Sequence, residues 1–495
     1  MLRPWKTQLW LENSPGKTLH LKLLNTLTAD IKEGRLTPGS MLPGSRSLAE
    51  QLSVNRKTVQ QVYEELEAQG WLITRPRSGT FVSEVLPELG LSQSDKHLVN
   101  MTDSTKSASK LVEVLYQDAV NLHHNVALTN DGTPDSRLIP YELLARTYRR
   151  ICIDLSRHSK LGYSDPKGCF ELRKSIAKML SGDRFMNCSV EQICIVRGSQ
   201  MGIYLASRIL DSKKGSIVME ELCYLPAKAA FESNGFNVLK CRLDDKGLDI
   251  QHLREILAEH SVTAIYVTPH HQYPTTACLS MDRRLTLLEL SKTYKFAILE
   301  DDYDHEFHYE KNPIPPLASL PNSENVVHIG SMSKVLAPGL RVGYIAADTQ
   351  FIERAAQEII LIDRQGNAVS ELVLADLMES GEVRRHIRKT RKEYEMRRNF
   401  AAAEFIRLFG DNISFKLPTG GMAIWVDISK LTKGRTLADL PGKDSTLSSF
   451  YTDTQIDPSH LRFGFGALNK AEITLSIEQL SQALLINIPA FATKP

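Results

Sequence analysis

The feature that most constrains the fold of this chain is an alternation of short β-branched segments with helical segments between residues 193 and 329. Five apolar runs of strand length occur at 193–196, 217–219, 264–267, 296–299 and 326–329. Helical patterns separate most of them, at 201–210, 224–233, 248–259 and 281–294. Buried strands that alternate with helices form a parallel α/β sheet, which binds ligands at the carboxyl ends of its strands. The candidate functional residues are therefore those that follow each strand.

The last of these runs leads into a lysine. Gly330 breaks the run, and Ser331, Ser333 and Lys334 follow it, with Arg341 seven residues later. Desolvation in a cleft lowers the pKa of a lysine and frees its amine to attack an aldehyde. Two hydroxyl groups and a guanidinium suit a phosphate. An aldehyde that carries a phosphate describes pyridoxal 5′-phosphate (PLP), which links to lysine as an imine. A surface lysine after a strand is the alternative.

The other strand ends carry residues that suit the same ligand. After the first strand a turn opens a helix, and its Gly198, Ser199 and Gln200 are candidates for binding phosphate at the helix N-terminus. The acidic segment 300–304 follows the fourth strand, and its clustered carboxylates make Mg²⁺ one alternative. Next to a PLP-binding lysine, one aspartate would pair instead with the pyridine nitrogen, and a tyrosine two residues on would bond the phenolic oxygen. Tyr224, after the second strand, is placed to stack on the ring or to lie half-buried in the core.

The first 85 residues have a different pattern, of three helices and a hairpin. Leucine and isoleucine recur every four residues and predict a helix over 18–33. A second helix begins near Ser45, and a third follows Asn55, its predicted N-cap. Residues 71–82 are predicted to form two short strands around a Pro/Gly/Ser tip. This order is that of a winged helix-turn-helix, whose third helix enters the major groove of DNA. A small helical dimerisation domain is the alternative.

The polar residues that such a head exposes are the candidate DNA contacts. The first turn of the third helix supplies candidates for base edges, and the second helix and the wing supply candidates for the phosphate backbone or the minor groove. The candidates are Arg46, Arg56, Lys57, Thr58, Gln60, Gln61, Arg75, Arg77, Ser78 and Gly79.

Composition sets bounds on partners and location. The chain has 495 residues, a net charge of +2 and 42% hydrophobic residues, so any contact with nucleic acid must come from a local patch. Seven cysteines without C-x-x-C spacing predict reduced thiols in the cytoplasm. Without an apolar leader segment or a run of 18 apolar residues, neither secretion nor membrane insertion is expected.

Polar composition predicts a flexible linker between two modules. We expect a DNA-binding domain at 1–85, a linker at 86–117 and an effector domain at 118–495, with a helix beginning at 111–116. Within the effector domain we expect a large subdomain at about 160–375 and a small one at 376–495 with part of 118–159.

Two sets of motifs resemble known families. Segments 34–52, 55–66 and 78–82 resemble the GntR family, with Gly44 where serine is usual. Segments 163–168, 172–173, 198–200, 274–275, 300–303, 331–334 and 339–343 are similar to fold-type I aminotransferases, in that family's order. Together they resemble the MocR/GabR subfamily of transcription regulators. The resemblance implies an α/β fold: a winged helix-turn-helix joined to a PLP-dependent transferase fold with a parallel-rich central sheet and a smaller α+β C-terminal subdomain.

The resemblance also implies roles for single residues. Lys334 would be the imine lysine, Asp301 the partner of the pyridine nitrogen, Tyr303 the partner of the phenolic oxygen, Tyr224 the stacking residue and Arg462 the clamp on a substrate α-carboxylate. The phosphate cup would be Gly198, Ser199, Gln200, Ser331, Ser333 and Arg341. No metal is implied.

The sequence departs from the aminotransferase pattern at three places. Tyr273 stands where aminotransferases carry an asparagine, and Thr276 replaces the glycine of Pro-Thr-Gly. Leu222-Cys223 replaces a more usual Pro-Gly before Tyr224. Activation of the cofactor and the effector pocket are the properties that these departures would alter.

The resemblance predicts a homodimeric regulator that binds double-stranded DNA with repeated half-sites. An amine, amino acid or B6 vitamer would be sensed through aldimine chemistry at Lys334 and would shift the domain between two states. An active aminotransferase with an accessory DNA-binding head is one alternative, and partial transamination activity is compatible with both. A regulator that binds its ligand noncovalently is another.

Overall fold

The structure is a computed structural model that describes residues 18–76, 78–87, 132–158, 162–309, 314–432 and 459–486. The chain divides into two compact units, Met1–Asn121 and Leu122–Pro495. The helix expected at 111–116 and nearly all of the expected linker lie outside the described residues. In the part of the chain that is described, no helix combines the length and apolar character needed to cross a lipid bilayer.

The first unit contains the three helices and the hairpin that the sequence predicts. The elements are α1 (Leu19–Lys32), α2 (Ser45–Leu52), α3 (Arg56–Ala68), β1 (Leu72–Arg75) and β2 (Gly79–Val82). Asn55 caps α3, because its side-chain oxygen accepts a hydrogen bond of 2.8 Å from the Lys57 backbone N–H. The predicted inner face of α3 is buried, and it packs with Leu23, Leu27 and Trp71 in one core.

The wing of this unit is a regular antiparallel pair. Leu72 of β1 pairs with Val82 of β2, and Arg75 pairs with Gly79. Gly79 has a φ of +114°, and a Cβ there would lie 2.8 Å from the Met41 methyl group. Only glycine fits this turn without strain. The turn therefore holds the wing tip against the segment that precedes α2.

The second unit is organised around a seven-stranded sheet. Its strands are β3 (Ile193–Val196), β4 (Ser216–Glu220), β5 (Val238–Cys241), β8 (Val262–Val267), β9 (Ala297–Asp302), β10 (Val326–Ser331) and β11 (Gly343–Ala346). A separate hairpin is formed by β6 (Leu243–Asp244) and β7 (Gly247–Leu248). The spatial order in the sheet is β3-β11-β10-β9-β8-β4-β5. The pairings are parallel except on both sides of β11, so the parallel-rich sheet is confirmed and the sheet is mixed.

Two strands extend further than the sequence predicts. Strand β9 includes Glu300, Asp301 and Asp302, so these acids are its last residues and do not follow it. Strand β10 continues through Gly330 to Ser331. A Cβ on Gly330 would lie 2.1 Å from the Tyr344 ring, which shows that this glycine permits close packing in place of a strand break.

Helices cover both faces of the sheet. They are α4 (Tyr141–His158), α5 (Phe170–Arg184), α6 (Ser199–Ile209), α7 (Leu225–Ser233), α8 (Ile250–Glu259), α9 (Met281–Tyr294), α10 (Thr349–Ile362) and α11 (Ala368–Glu379). Side chains of α6, α7 and α10 pack with Ile217 of β4, whereas those of α8 and α9 pack with the adjacent Val218. Successive strand residues point to opposite faces, so the sheet is buried on both sides.

A smaller layer follows in the chain. Helix α12 (Glu382–Phe409) leads to β12 (Ser414–Phe415), β13 (Ala423–Asp427), α13 (Ser429–Thr432), β14 (His460–Gly464) and α14 (Lys470–Ile486). The three strands form an antiparallel sheet, and Phe405, Phe463 and Ile473 are completely buried in its core. This sheet positions Arg462 of β14.

Candidate cofactor and DNA-binding sites

The ends of β9 and β10 bring the predicted lysine beside a predicted tyrosine. The two strands are parallel neighbours, with Asp301 paired with Ile329. The turn after β10 carries Lys334, whose Nζ lies 4.7 Å from the centre of the Tyr303 ring. The same Nζ donates a hydrogen bond of 3.4 Å to the Gly132 carbonyl oxygen. Lys334 is therefore held in a half-buried position, in contact with the segment that follows β9.

Asp301 is a buried carboxyl group in the same region. Its Oδ2 accepts a hydrogen bond of 2.7 Å from the Tyr266 hydroxyl, and its Oδ1 has no hydrogen-bond partner. Burial raises the pKa of Asp301 to about 7, with a smaller upward contribution from the charge of Asp302, while Lys334 acts in the opposite direction. Tyr266 was not among the sequence candidates, because a tyrosine inside an apolar strand has no distinguishing pattern.

The hydroxyl of Tyr303 already has a partner in the structure. It donates a hydrogen bond of 2.8 Å to the His271 carbonyl oxygen. The His271 ring lies beside Asp304, with Nδ1 and Oδ1 2.7 Å apart. His271 was also missed by sequence reasoning, since it follows β8 without a recognisable motif. Tyr303 and the β8 loop are thus joined beside Lys334.

Several of the predicted phosphate-binding residues meet at the start of α6. Gly198 precedes this helix with a φ of +81°, and a Cβ on it would lie 2.9 Å from Nη2 of Arg341. The same nitrogen donates a hydrogen bond of 2.9 Å to the Arg197 carbonyl oxygen. Gly343 is equally close, because a Cβ there would lie 2.9 Å from the Gly198 backbone. The turn, the guanidinium and the helix N-terminus therefore share one small volume.

The remaining predicted cup residues are placed by their own elements. Ser331 ends β10, and its hydroxyl accepts a hydrogen bond of 3.3 Å from the Ser333 backbone N–H. The Ser333 hydroxyl is buried without a partner. Ser199 and Gln200 lie in the first turn of α6, and the Gln200 amide donates to the Pro226 carbonyl oxygen at 3.0 Å. The Gln200 side chain thus contacts α7.

Arg462 and two tyrosines form a further part of the site. Arg462 donates a hydrogen bond of 2.9 Å to the Pro274 carbonyl oxygen, and its guanidinium lies 4.8 Å from the Tyr273 ring centre. The edge of one of the rings of Tyr273 and Tyr224 meets the face of the other, with centres 5.4 Å apart. Gly132 connects this group to Lys334, because a Cβ on it would lie 3.4 Å from Nη2 of Arg462. Tyr273 thus lies between the predicted stacking residue and the predicted carboxylate clamp.

The loop after Tyr273 keeps a backbone conformation that favours glycine. Thr276, which stands where the aminotransferase motif has glycine, has a φ of +61°. A β-branched residue is strained in this left-handed region. Thr275 and Thr276 border a cavity of about 400 Å³ that Trp425, His460 and Lys416 also line. The departure from the family motif therefore lies where a ligand side chain would be selected.

The candidate DNA contacts are on the surface of the first unit. Arg46 of α2, and Arg56, Lys57, Gln60 and Gln61 of α3, are exposed, while Thr58 is half-buried. In the wing, Arg75 is exposed and pairs with Glu84 at 3.0 Å. Ser78 and Gly79 form the end of the turn, and Arg77 lies outside the described residues. The structure thus presents the α3 candidates on the side of the helix opposite its core.

Comparisons with known proteins match both units. Residues 136–479 match the family of aminotransferases of class I and II, and residues 20–82 match the gntR family of bacterial regulatory proteins. An uncharacterised HTH-type transcriptional regulator of Bacillus subtilis, YdeL, is 29% identical over 83% of this chain and 85% of its own. The probable rhizopine catabolism regulatory protein MocR of Rhizobium meliloti is 27% identical over 94% and 96%. The crystal structure of an archaeal alanine:glyoxylate aminotransferase superposes with a TM-score of 0.66 and 25% identity, over 73% of this chain and 91% of that one.

Proposed function

Because the chain belongs to the aminotransferase class I and II family and carries a gntR-family head, consistent with the MocR/GabR subfamily, we propose that it is a ligand-responsive transcription regulator. Its head binds an operator in double-stranded DNA. Its effector domain holds PLP and binds a small amine, amino acid or B6 vitamer. The observation that carries the proposal is the meeting of Lys334, Tyr303 and the buried Asp301 at the ends of two neighbouring strands.

The residues at this site fit PLP in charge and in unmet hydrogen bonding. Asp301 Oδ1 is buried without a partner, although a buried carboxylate oxygen is costly unless it is paired. A ring nitrogen that carries a proton would satisfy it. Ser333 Oγ is a second buried atom without a partner, and the Gly198 turn brings backbone N–H groups and Arg341 together where a phosphate is favoured.

Each residue has a distinct task in the proposed site. When bound, PLP supplies an aldehyde that reacts reversibly with primary amines and a ring that withdraws electrons. Lys334 provides the amine for covalent attachment and yields that position to an incoming amine. Asp301 holds a proton against the ring nitrogen, while Tyr303 and Tyr224 orient and enclose the ring. Arg462 binds a ligand carboxylate through its two-pronged guanidinium.

Recognition of DNA is assigned to α3 and the wing. The exposed Arg56, Lys57, Gln60 and Gln61 surround the face of α3 that would enter the major groove. Arg46 lies in the first turn of α2, where a cation meets a phosphate. Two heads in a homodimer would require two repeated half-sites.

Support for the homodimer comes from an exposed apolar patch at the end of α10. Ile360, Leu361 and Ile362 are consecutive and 51%, 75% and 51% exposed. Consecutive large aliphatic side chains in solvent are typical of a contact surface. We place the dimer interface on this patch, and we place the protein in the cytoplasm.

Attachment of PLP to Lys334 tests the proposal. The purified chain is incubated with PLP, reduced with borohydride and mapped by mass spectrometry. We expect one PLP-derived mass on the peptide that contains Lys334, and none in Lys334→Ala. Lys295→Ala, an exposed lysine at the end of α9, serves as the control and should label as the wild type does. Labelling spread over surface lysines would contradict the proposal.

The enzymatic alternative is favoured by the same residues, because Lys334 near the ligand can also move a proton at the α-carbon. A panel of amino acids and keto acids distinguishes the two functions. Turnover that exceeds the PLP background in wild type but not in Lys334→Ala would identify an aminotransferase. We expect rates near the background.

A further inference from the structure

A buried cluster behind the cofactor site has no role in the function proposed above. It consists of His270 and His305, which lie close to Asp302, the last residue of β9. His270 Nδ1 is 3.1 Å from Asp302 Oδ1, and His305 Nδ1 is 3.4 Å from Asp302 Oδ2. All three side chains are at least nine-tenths buried. One ligand atom from each lies within 4.8 Å of the other two.

Unmet hydrogen bonding is concentrated at this cluster. Ten buried side-chain atoms in the described residues have no hydrogen-bond partner. Four of them are His270 Nδ1, Asp302 Oδ1, His305 Nδ1 and Glu306 Oε2. Such groups are rare in native proteins, and an ion missing from the coordinates is one of the usual reasons. Four together in one place point to a ligand.

The tautomer of His270 turns a lone pair toward Asp302. Its Nε2 lies 2.6 Å from the Ile314 carbonyl oxygen, which can only accept, so Nε2 carries the ring proton. In a neutral ring, Nδ1 is then an acceptor that faces the carboxylate oxygen of Asp302. Two acceptors repel each other at 3.1 Å unless a cation lies between them. A backbone carbonyl on the second ring nitrogen is also the usual support of a metal-binding histidine.

The charges of the neighbours leave room for a further cation. Arg184 contacts both Asp302 and Glu306, so one guanidinium faces two carboxyl groups. It occupies Oδ2 of Asp302 and leaves Oδ1 to another ligand. Burial lowers the pKa of His305 far below its ordinary value, which keeps this ring neutral, as a metal requires.

A route to the cluster is present. A cavity of about 560 Å³ is lined by His305, Glu306 and Arg184 together with residues of α5, α11 and α12. Two of the basic side chains that line it are paired with acids, Arg384 with Asp183 and Lys178 with Glu379. An ion that enters from solvent therefore has a path to Asp302.

From this geometry we infer that His270, Asp302 and His305 form a binding site for a divalent transition metal ion of the zinc class. Two imidazole nitrogens and one carboxylate oxygen are a common ligand set for Zn²⁺. Ligand bonds of about 2.0–2.2 Å place tetrahedral ligand atoms roughly 3.3–3.5 Å apart, close to the separations seen here. Glu306 or a water molecule completes the coordination.

Metal binding by the full-length chain tests the site. The protein is treated with a chelator, freed of it and titrated with Zn²⁺ alone, with and without PLP. We expect one Zn²⁺ per chain after gel filtration, and a dissociation constant raised by more than about 100-fold in His270→Asn and in His305→Asn, because loss of a ligand should exceed the 10–100-fold cost of losing an outer partner. The control is His158→Asn, an exposed histidine paired with Asp154, which should bind as the wild type does.

Co²⁺ provides a readout that does not depend on the variants. In the wild type we expect the intense visible absorption of a four-coordinate ion, displaced by one equivalent of Zn²⁺. Circular dichroism and PLP loading verify that each variant is folded. The inference is overturned if the wild type holds no stoichiometric metal, or if folded His270→Asn and His305→Asn bind it as tightly as His158→Asn. The geometry would then be explained by a proton on His270.

Discussion

Asp301 is the residue whose ionisation couples the cofactor site to the stability of the effector domain. Its pKa in the folded chain is about 7, mainly because it is buried, while that of an aspartate in an unfolded chain is about 3.9. Between these values the folded state holds a proton that the unfolded state has released. The stabilisation is thus complete below about pH 4 and is lost as the pH rises through 7.

We therefore expect PLP-free wild type to lose stability relative to Asp301→Asn between pH 4 and pH 8. Three pKa units at 1.36 kcal/mol each set an upper limit of about 4 kcal/mol. Asparagine keeps an oxygen for the Tyr266 hydroxyl but does not ionise. Thermal unfolding at several pH values measures the difference, with Asp245→Asn, an exposed aspartate, as control. Parallel pH profiles for wild type and Asp301→Asn would contradict the assignment.

Single residues also show where sequence reasoning ends. Lys334 and the Gly198 turn could be found because a strand end, small residues and a cation form a recognisable order. Tyr266 and His271 could not, because their partners Asp301 and Tyr303 are more than thirty positions away in the chain. The strained backbone of Thr276 is equally invisible, since a threonine gives no signal for a positive φ.

At the scale of elements, hydrophobic period identified the helices and five strands, and chain connection would have identified one more feature. Only residues 332–342 separate β10 from β11, whereas parallel strands need a crossover of a dozen or more residues. The antiparallel direction of β11 follows from this short connection. Strand β5 was missed because Lys240 interrupts its apolar pattern. In the head, the period of four and the Asn55 cap were sufficient.

The second and third helices are expected to contribute differently to DNA binding. Arg46→Ala should weaken binding to operator and unrelated DNA alike and reduce the salt slope by about one, because one phosphate contact is lost. Gln60→Ala should weaken only operator binding, by roughly 1–3 kcal/mol, since a base contact is lost. Arg254→Ala, on α8, controls for net charge. Fluorescence anisotropy at several salt concentrations measures both, and equal effects of Arg46→Ala and Gln60→Ala on both DNAs would contradict the docking.

At the scale of the whole molecule, the proposal requires two copies of the chain. Leu361→Asp places a charge in the exposed apolar patch at the end of α10 and should shift the protein toward a monomer. Leu475→Asp is the matched control, because Leu475 is 54% exposed on α14. Sedimentation equilibrium over a range of concentrations reports the mass. A dimer that survives Leu361→Asp with unchanged affinity would show that the interface lies elsewhere.

The most direct test of the account is the affinity for DNA upstream of the protein's own gene, measured with and without PLP and a panel of primary amines. We expect at least one of these ligands to change the dissociation constant by about 5–150-fold, the range of coupling free energies between linked sites. The change should be absent in Lys334→Ala, while that variant still binds DNA. A wild-type affinity that no ligand alters, or a response that Lys334→Ala retains in full, would contradict the claim that the lysine site controls the head.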